Sequence, residues 1–258
     1  MRTDMGRKVR NAFVAQKGNK IVAIDYSQVE LRIAAMLSED EKLLNVFKKN
    51  EDIHTAVASE VFGVARDKVD KDMRSHAKTI NFGILYGMGV NALKKSLGST
   101  GEEARNFYTK YFERFSGLAG YIERVKAETA KNGFTETFFG RRRFFEGINS
   151  SIPYIKSAAE RMAINAPIQG TQADLVKLAM IEIDTYIKKN KLTEDVKMLL
   201  QVHDELVFEM KESVVEKVSM DIKKIMESVI DTKDSHGIIF RADVSVGDNW
   251  GELQNMEL

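Results

Sequence analysis

Arg74, Lys78, Phe82 and Tyr86 follow one another at intervals of four in the stretch RSHAKTINFGILYG. On a helix, at about 100° per residue, they share one side. Met73, Ala77, Ile80 and Ile84 fall on roughly the opposite side and make a core face. Two cations at i and i+4 repel by a few tenths of a kcal/mol, so something must offset them. A polyphosphate along the helix would do so, with Arg and Lys donating charge-assisted hydrogen bonds. The two rings could stack on a base or shape a sugar pocket. The rod therefore reads as a rail for a nucleoside triphosphate, phosphates toward Arg74 and nucleoside toward Tyr86. Periodicity alone also suits a solvated basic helix end followed by two core aromatics.

Two carboxylates suit the same chemistry. Asp25 ends the apolar, β-leaning run KIVAID, and Asp204 lies in the HDE segment between two further β-leaning runs. A carboxylate at the end of a buried strand is costly unless paired or bound to a metal. Two of them on neighbouring strands would repel, and divalent cations would relieve that. Oxygen-only ligation favours magnesium, with substrate phosphates completing the shell. Two such ions about 4 Å apart lower the pKa of an attacking hydroxyl and stabilise a leaving pyrophosphate. Taken singly, Asp25 also reads as a turn or helix N-cap, and HDE as a polar hairpin turn.

The remaining chain must position these groups. It has 258 residues, 43% hydrophobic and 30% charged, with a net charge of +1, so any basic surface is segregated rather than global. There is no Cys, which excludes disulfides and thiolate metal sites and fits a reducing setting. No apolar run approaches the roughly 20 residues of a membrane span. Residues 20–25 predict a buried strand and QVELRIAAMLSED the helix after it; helices continue to about Asn132. Thr100 followed by Glu103 predicts a capping box. Residues 132–145 predict a hairpin or loop with a basic tip. A helix should then run to a break before Pro167, with Thr171 and Asp174 capping the next. Residues 198–210 predict strand–turn–strand, with no Gly in the turn. VVEKVSMDIKKIMESVI predicts a helix and IIFRADVSVG a last strand. Strands at both ends and helices between them predict an α+β fold, an antiparallel sheet with a helical insertion.

The segments DYSQVELRIAAMLSED, RSHAKTINFGILYG and QVHDE, in that order, resemble motifs A, B and C of the family A DNA polymerases, the bacterial DNA polymerase I type. DIHTAVASEVFGV, FGRRRFF, AERMAINAPIQGTQADLVKLAM and VSVGDNWGE carry the likeness through nearly the whole chain. The resemblance implies a right-hand polymerase fold. Residues 1–37 and 166–258 would form the palm and residues 38–165 the helical fingers. It implies a template-directed DNA polymerase core, with two Mg²⁺ ions, using primer-template DNA and deoxynucleoside triphosphates as partners in the cytoplasm of a bacterium or phage host, nucleoid-associated.

By the resemblance, Asp25, Asp204 and the Tyr26 carbonyl hold metal, and Glu205 is auxiliary. Arg74 and Lys78 take the triphosphate, Lys78 counting with Asp25, Asp204 and Glu205 in the catalytic set; His54 also reaches the phosphates, and Gln28 joins the nucleotide-binding set. Phe82 packs on sugar and base, and its being Phe implies discrimination against dideoxynucleotides. Tyr86 stacks at the templating position and, with Glu30, fills the space beside C2′, so that ribonucleotides are rejected sterically. Arg161, Asn165 and Gln169 contact the nascent duplex or templating region, His203 the primer terminus, and Arg141 template phosphate. Without the resemblance, His54 reads as a solvent-facing helix histidine and residues 141–143 as a solvated loop tip.

The family's polymerase region also carries a first palm segment, a duplex-gripping thumb and a Gly-Arg-containing motif ahead of motif A. The expectation is accordingly a fragment, a split-gene half or one part of a two-chain enzyme, with a second chain supplying thumb and exonuclease as a partner. Two rival readings follow from the same residues: a phage-type single-subunit RNA polymerase, which shares the palm and fingers plan, and a remnant that binds nucleotide or DNA without turnover.

Overall fold

The computed structural model describes residues 4–258. Its helices are α1 (Asp4–Asn11), α2 (Val29–Ser38), α3 (Glu41–Lys48), α4 (Ile53–Phe62), α5 (Lys71–Leu85), α6 (Val90–Leu97), α7 (Gly101–Arg114), α8 (Ser116–Asn132), α9 (Pro153–Lys189) and α10 (Val215–Ser228). Its strands are β1 (Asn19–Tyr26), β2 (Phe134–Glu136), β3 (Arg142–Phe144), β4 (Val196–Val202), β5 (Glu205–Lys211), β6 (Ala242–Gly247) and β7 (Gln254–Met256). The fold is α+β, as the order of elements predicts. The chain divides into two compact units. The first comprises Met1–Val29, Gln172–Thr232 and Ile239–Leu258; the second comprises Glu30–Thr171 and Lys233–Ile238.

The first unit is built on one sheet in the order β4-β5-β1-β6-β7, antiparallel at every pair. β1 lies at its centre and is buried on both faces, which is why its sequence is an unbroken apolar run rather than an alternation. Ile21 and Ala23 pack with Val207 and Trp250 on one face. Val22, Ile24 and Tyr26 point to the other, where α10 packs and the Tyr26 hydroxyl donates to the Met226 carbonyl at 2.6 Å. Full burial of side chains such as Ile24 and Phe208 contributes about 1.5–3 kcal/mol each.

The second unit is helical apart from the hairpin of β2 and β3, which the sequence placed within 132–145. Asp40 joins two of its helices. One oxygen caps α3, accepting from the Lys42 and Leu43 N–H groups, and the other accepts from Gly117 and Leu118 at the start of α8. That satisfies four helix N–H groups which would otherwise lie orphaned beside a 3% exposed residue. Thr100 and Glu103 form the expected capping box on α7.

Two expectations about this helix fail. No break precedes Pro167: α9 runs unbroken from Pro153 to Lys189, with Pro167 inside it. An interior proline costs about 3 kcal/mol, through a lost hydrogen bond and a ring clash. Here the helix is held on both sides of it by buried Ala163, Ile164, Ala166, Ile168, Leu175 and Val176. Thr171 is not a cap. Its hydroxyl is fully buried and accepts from the Phe138 N–H at 3.0 Å, tying the hairpin to α9.

Candidate active site

Asp25 is the acid of β1; it follows four buried residues, and its carboxyl is partly covered while the residue still reaches solvent. Sheet register sets its neighbours. It lies opposite Glu205 on β5 and opposite Asp243 on β6. Cross-strand partners project to the same face, so three acids form a row across three strands, an arrangement that destabilises a sheet unless something compensates it. Asp204 adds a fourth. It occupies the two-residue turn between β4 and β5, and its carbonyl accepts from the Tyr26 N–H at 3.3 Å. The turn needs no glycine because His203 adopts the left-handed conformation, φ +57°, which His tolerates better than most residues.

The electrostatics follow. Partial burial, then the like charges of Asp204, Glu205 and Asp243, push the Asp25 carboxyl up to about 7, with Arg10 pulling against them. Burial also raises Asp204, opposed by its own backbone hydrogen bond and by His203. Glu205 is pinned aside: its oxygens accept from the Trp250 indole at 2.9 Å and pair with Arg10 at 3.9 Å. Arg10 itself lies over the Trp250 ring. Among the described residues Asp25, Asp204 and Asp243 thus remain as the acids of the cluster without such a partner close by. Among the described residues no three His, Asp or Glu side chains form a metal cage on their own. The donor set is all oxygen and carries excess negative charge, which fits a hard divalent cation whose shell is completed by water and substrate.

In the second unit the helix predicted from periodicity is α5. Ala77, Ile80 and Ile84 are buried, while Arg74, Lys78 and Tyr86 are exposed and Phe82 is half-buried. Phe82 and Tyr86 stack with centroids 6.4 Å apart. The Tyr86 hydroxyl donates to Glu30 at 2.7 Å. α5 ends there because Gly87 takes φ +67°, and any Cβ at Gly87 would meet the Arg161 side chain at 2.8 Å. Arg161 therefore lies beside the aromatic end of the rail, its guanidinium donating to Ser157 at 2.9 Å. Half-buried Asn165 and exposed Gln169 continue from Arg161 at intervals of four along α9. Arg141 donates to the Gly170 carbonyl at 2.9 Å. Gln28, in the first unit, holds φ +54° in the turn after β1.

His54 differs from the solvent-facing residue that its sequence context alone suggests. It is 4% exposed, its Nδ1 faces the Asn81 amide at 3.1 Å, and its ring lies 5.9 Å from Phe82. Burial lowers its pKa to about 4, with Arg74 and Lys78 adding to the effect and Asp52 opposing it. It is neutral at pH 7. The sign for stability is fixed by this: the folded pKa lies below the ordinary 6.5, so the contribution is whole above 6.5 and is lost as pH falls toward 4. Urea denaturation of His54→Gln should show a shallower loss of stability across that window than the parent chain does. Identical slopes would mean that His54 does not titrate this way.

Asp243, Asp52 and Asn81 join the two clusters without having been singled out in the sequence. For Asp243 the only signal is its place on the last predicted strand.

An acid row at the ends of adjacent antiparallel strands and a cation–aromatic helix define the class. The chain belongs to DNA polymerase family A, whose model matches residues 1–252. It is 45% identical over 252 residues to DNA polymerase I of Pseudomonas aeruginosa, covering 98% of this chain and 27% of that protein. It is 43% identical over 250 residues to the thermostable DNA polymerase I of Thermus aquaticus, covering 97% of this chain and 29% of that protein. A solved structure of the POL domain of Pol1 from M. smegmatis, in complex with DNA primer-template and dNTP, matches 97% of this chain and 43% of that one, with a TM-score of 0.91 and 38% identity. The chain thus spans under a third of the length of the curated relatives named here.

Proposed function

We propose that this chain carries the nucleotidyl-transfer chemistry of a template-directed DNA polymerase, adding deoxynucleotides to a primer 3′ end. The observation that supports it most is the acid row of Asp25, Glu205 and Asp243 with Asp204 beside it, on strands that the family match covers. Two Mg²⁺ ions, held by Asp25, Asp204 and the Tyr26 carbonyl, would supply the charge that activates the primer hydroxyl and stabilises departing pyrophosphate. The second unit supplies the nucleotide's grip. Arg74 and Lys78 bind the triphosphate, and Gln28 belongs to the nucleotide-binding set. Neutral His54 adds a hydrogen-bond donor rather than a charge. Phe82 packs on sugar and base, while Tyr86 and Glu30 close the 2′ side. Arg161, Asn165, Gln169, Arg141 and His203 are the primer-template contacts. Neither the RNA-polymerase reading nor the non-catalytic one gains support from the relatives named above.

The test is primer extension with Mg²⁺, by the chain alone and mixed with a thumb-bearing piece of a relative. Extension in either arm supports the proposal. Tight deoxynucleotide binding with no extension in both arms would favour a binding module. A finer expectation concerns the sugar's 3′ side. Phe82→Tyr adds a hydroxyl that can replace the contact a dideoxynucleotide lacks. It should raise dideoxy incorporation relative to deoxy by about tenfold or more, roughly what one hydrogen bond to a charged group contributes. Equal discrimination by Phe and Tyr would refute the assignment of Phe82.

A further inference from the structure

The first cation of the rail is already held by a carboxylate. Asp52 is the N-cap of α4, where its Oδ1 accepts from the Thr55 N–H at 2.6 Å. The same group reaches α5: Oδ1 accepts from Arg74 Nε at 3.1 Å and Oδ2 from Arg74 Nη2 at 2.8 Å. One carboxylate therefore starts one helix and grips an arginine on the next. A guanidinium carries five N–H groups in a planar fork. Two are taken here, which leaves both hydrogens of Nη1 and the second of Nη2. These lie on the edge away from Asp52, on a side chain 47% exposed. The plane cannot turn without breaking both bonds. Partial burial tends to raise the Asp52 carboxyl, but its bonds to Arg74 and Thr55 outweigh this and hold it well below the usual carboxylate range. It remains charged wherever the protein is folded at ordinary pH. Arg74 also sits in the first turn of α5, where the helix dipole disfavours a cation, and Asp52 offsets that.

We propose that Asp52 is a positioning residue for the nucleotide, fixing Arg74 by its Nε–Nη2 edge and presenting the free Nη edge to the triphosphate. The proposal rests on the reading of Arg74 and Lys78 as the triphosphate rail. An arginine whose rotamers are fixed in advance loses less freedom on binding phosphate than a mobile one does.

Asp52→Asn and Asp52→Ser test it, because Asn and Ser cap helices about as well as Asp and should leave α4 intact. The probe is dATP with Mg²⁺, titrated into the full chain by calorimetry. Both variants should weaken its dissociation constant about three- to tenfold. In an Arg74→Ala background the further Asp52→Asn change should alter it less than about twofold, since the two positions act as one unit. The Arg74 Nε–H proton should be resolved by NMR in the parent and averaged by solvent exchange in both variants. Tighter dATP binding by Asp52→Asn would overturn the proposal, because the carboxylate would then be competing with phosphate. So would an equal loss with and without Arg74, or an Nε–H that stays resolved in the variants. If Arg74→Ala weakens dATP and Asp52→Asn does not, the positioning role alone falls. If Arg74→Ala has no effect, the rail falls with it.

Discussion

Asp204→Ala is expected to lower primer extension at least about a thousandfold while the chain stays folded. Asp204 lies in a two-residue turn rather than in the packed core, so truncating it opens no large cavity. What it removes is one of four acids that crowd around the end of β1. Desolvation and like charges already push Asp25 up, with Asp204 the first of those charges. Relieving that repulsion should stabilise the chain, by something of order 1 kcal/mol, or about 2–4 °C in melting temperature. Lost turnover together with a raised melting point is the mark of a charge cluster kept for chemistry at the expense of stability. An Asp204→Ala chain that extends primers like the parent would remove the metal role. A variant that is inactive and much less stable would show only that the turn had collapsed.

Glu30→Ala should raise ribonucleotide use, relative to deoxynucleotide, by about a hundredfold. Glu30 lies in the first turn of α2 and accepts the Tyr86 hydroxyl at 2.7 Å. The bond holds the ring in place and fills the volume beside it. On the proposed placement of the sugar, a 2′-hydroxyl would need that volume. Truncation to Ala frees it and also releases the ring. Glu30→Gln provides the contrast, since it keeps the volume and an oxygen that can accept from Tyr86. It should remain close to the parent in sugar selection. If Gln is as permissive as Ala, charge rather than volume excludes the ribonucleotide. If neither variant changes selection, Glu30 and Tyr86 do not form the sugar's wall.

Much of this was legible because it is local. The run at 20–25 reads as a buried strand, and β1 proves to be buried on both faces. The four-residue interval on α5 separates Ala77, Ile80 and Ile84, which are buried, from Arg74, Lys78 and Tyr86, which are not. HDE reads as a turn without glycine, and His203 supplies the left-handed residue in its place. What could not be read depends on distance along the chain. Asp243 faces Asp25 only through the register of β6 on β1, and no local pattern encodes a register. Asp52 resembles an ordinary helix cap until α5 brings Arg74 onto it. His54 looks solvent-facing on its own helix and becomes buried once Asn81 and Phe82 pack against it. Pro167 inside an unbroken helix has a related cause. Local rules count the hydrogen bond it removes but not the buried residues on both sides that keep α9 in one piece.

Joint ligation of a divalent cation by Asp25 and Asp204 can be tested by metal binding, without requiring turnover. Mn²⁺, which is paramagnetic and can stand in for Mg²⁺, can be titrated into the chain with dATP present and the bound fraction read by electron paramagnetic resonance. The expected result is saturable binding in the parent chain that is lost in both Asp25→Ala and Asp204→Ala, each still folded. Unchanged Mn²⁺ stoichiometry and affinity in the two variants would contradict it.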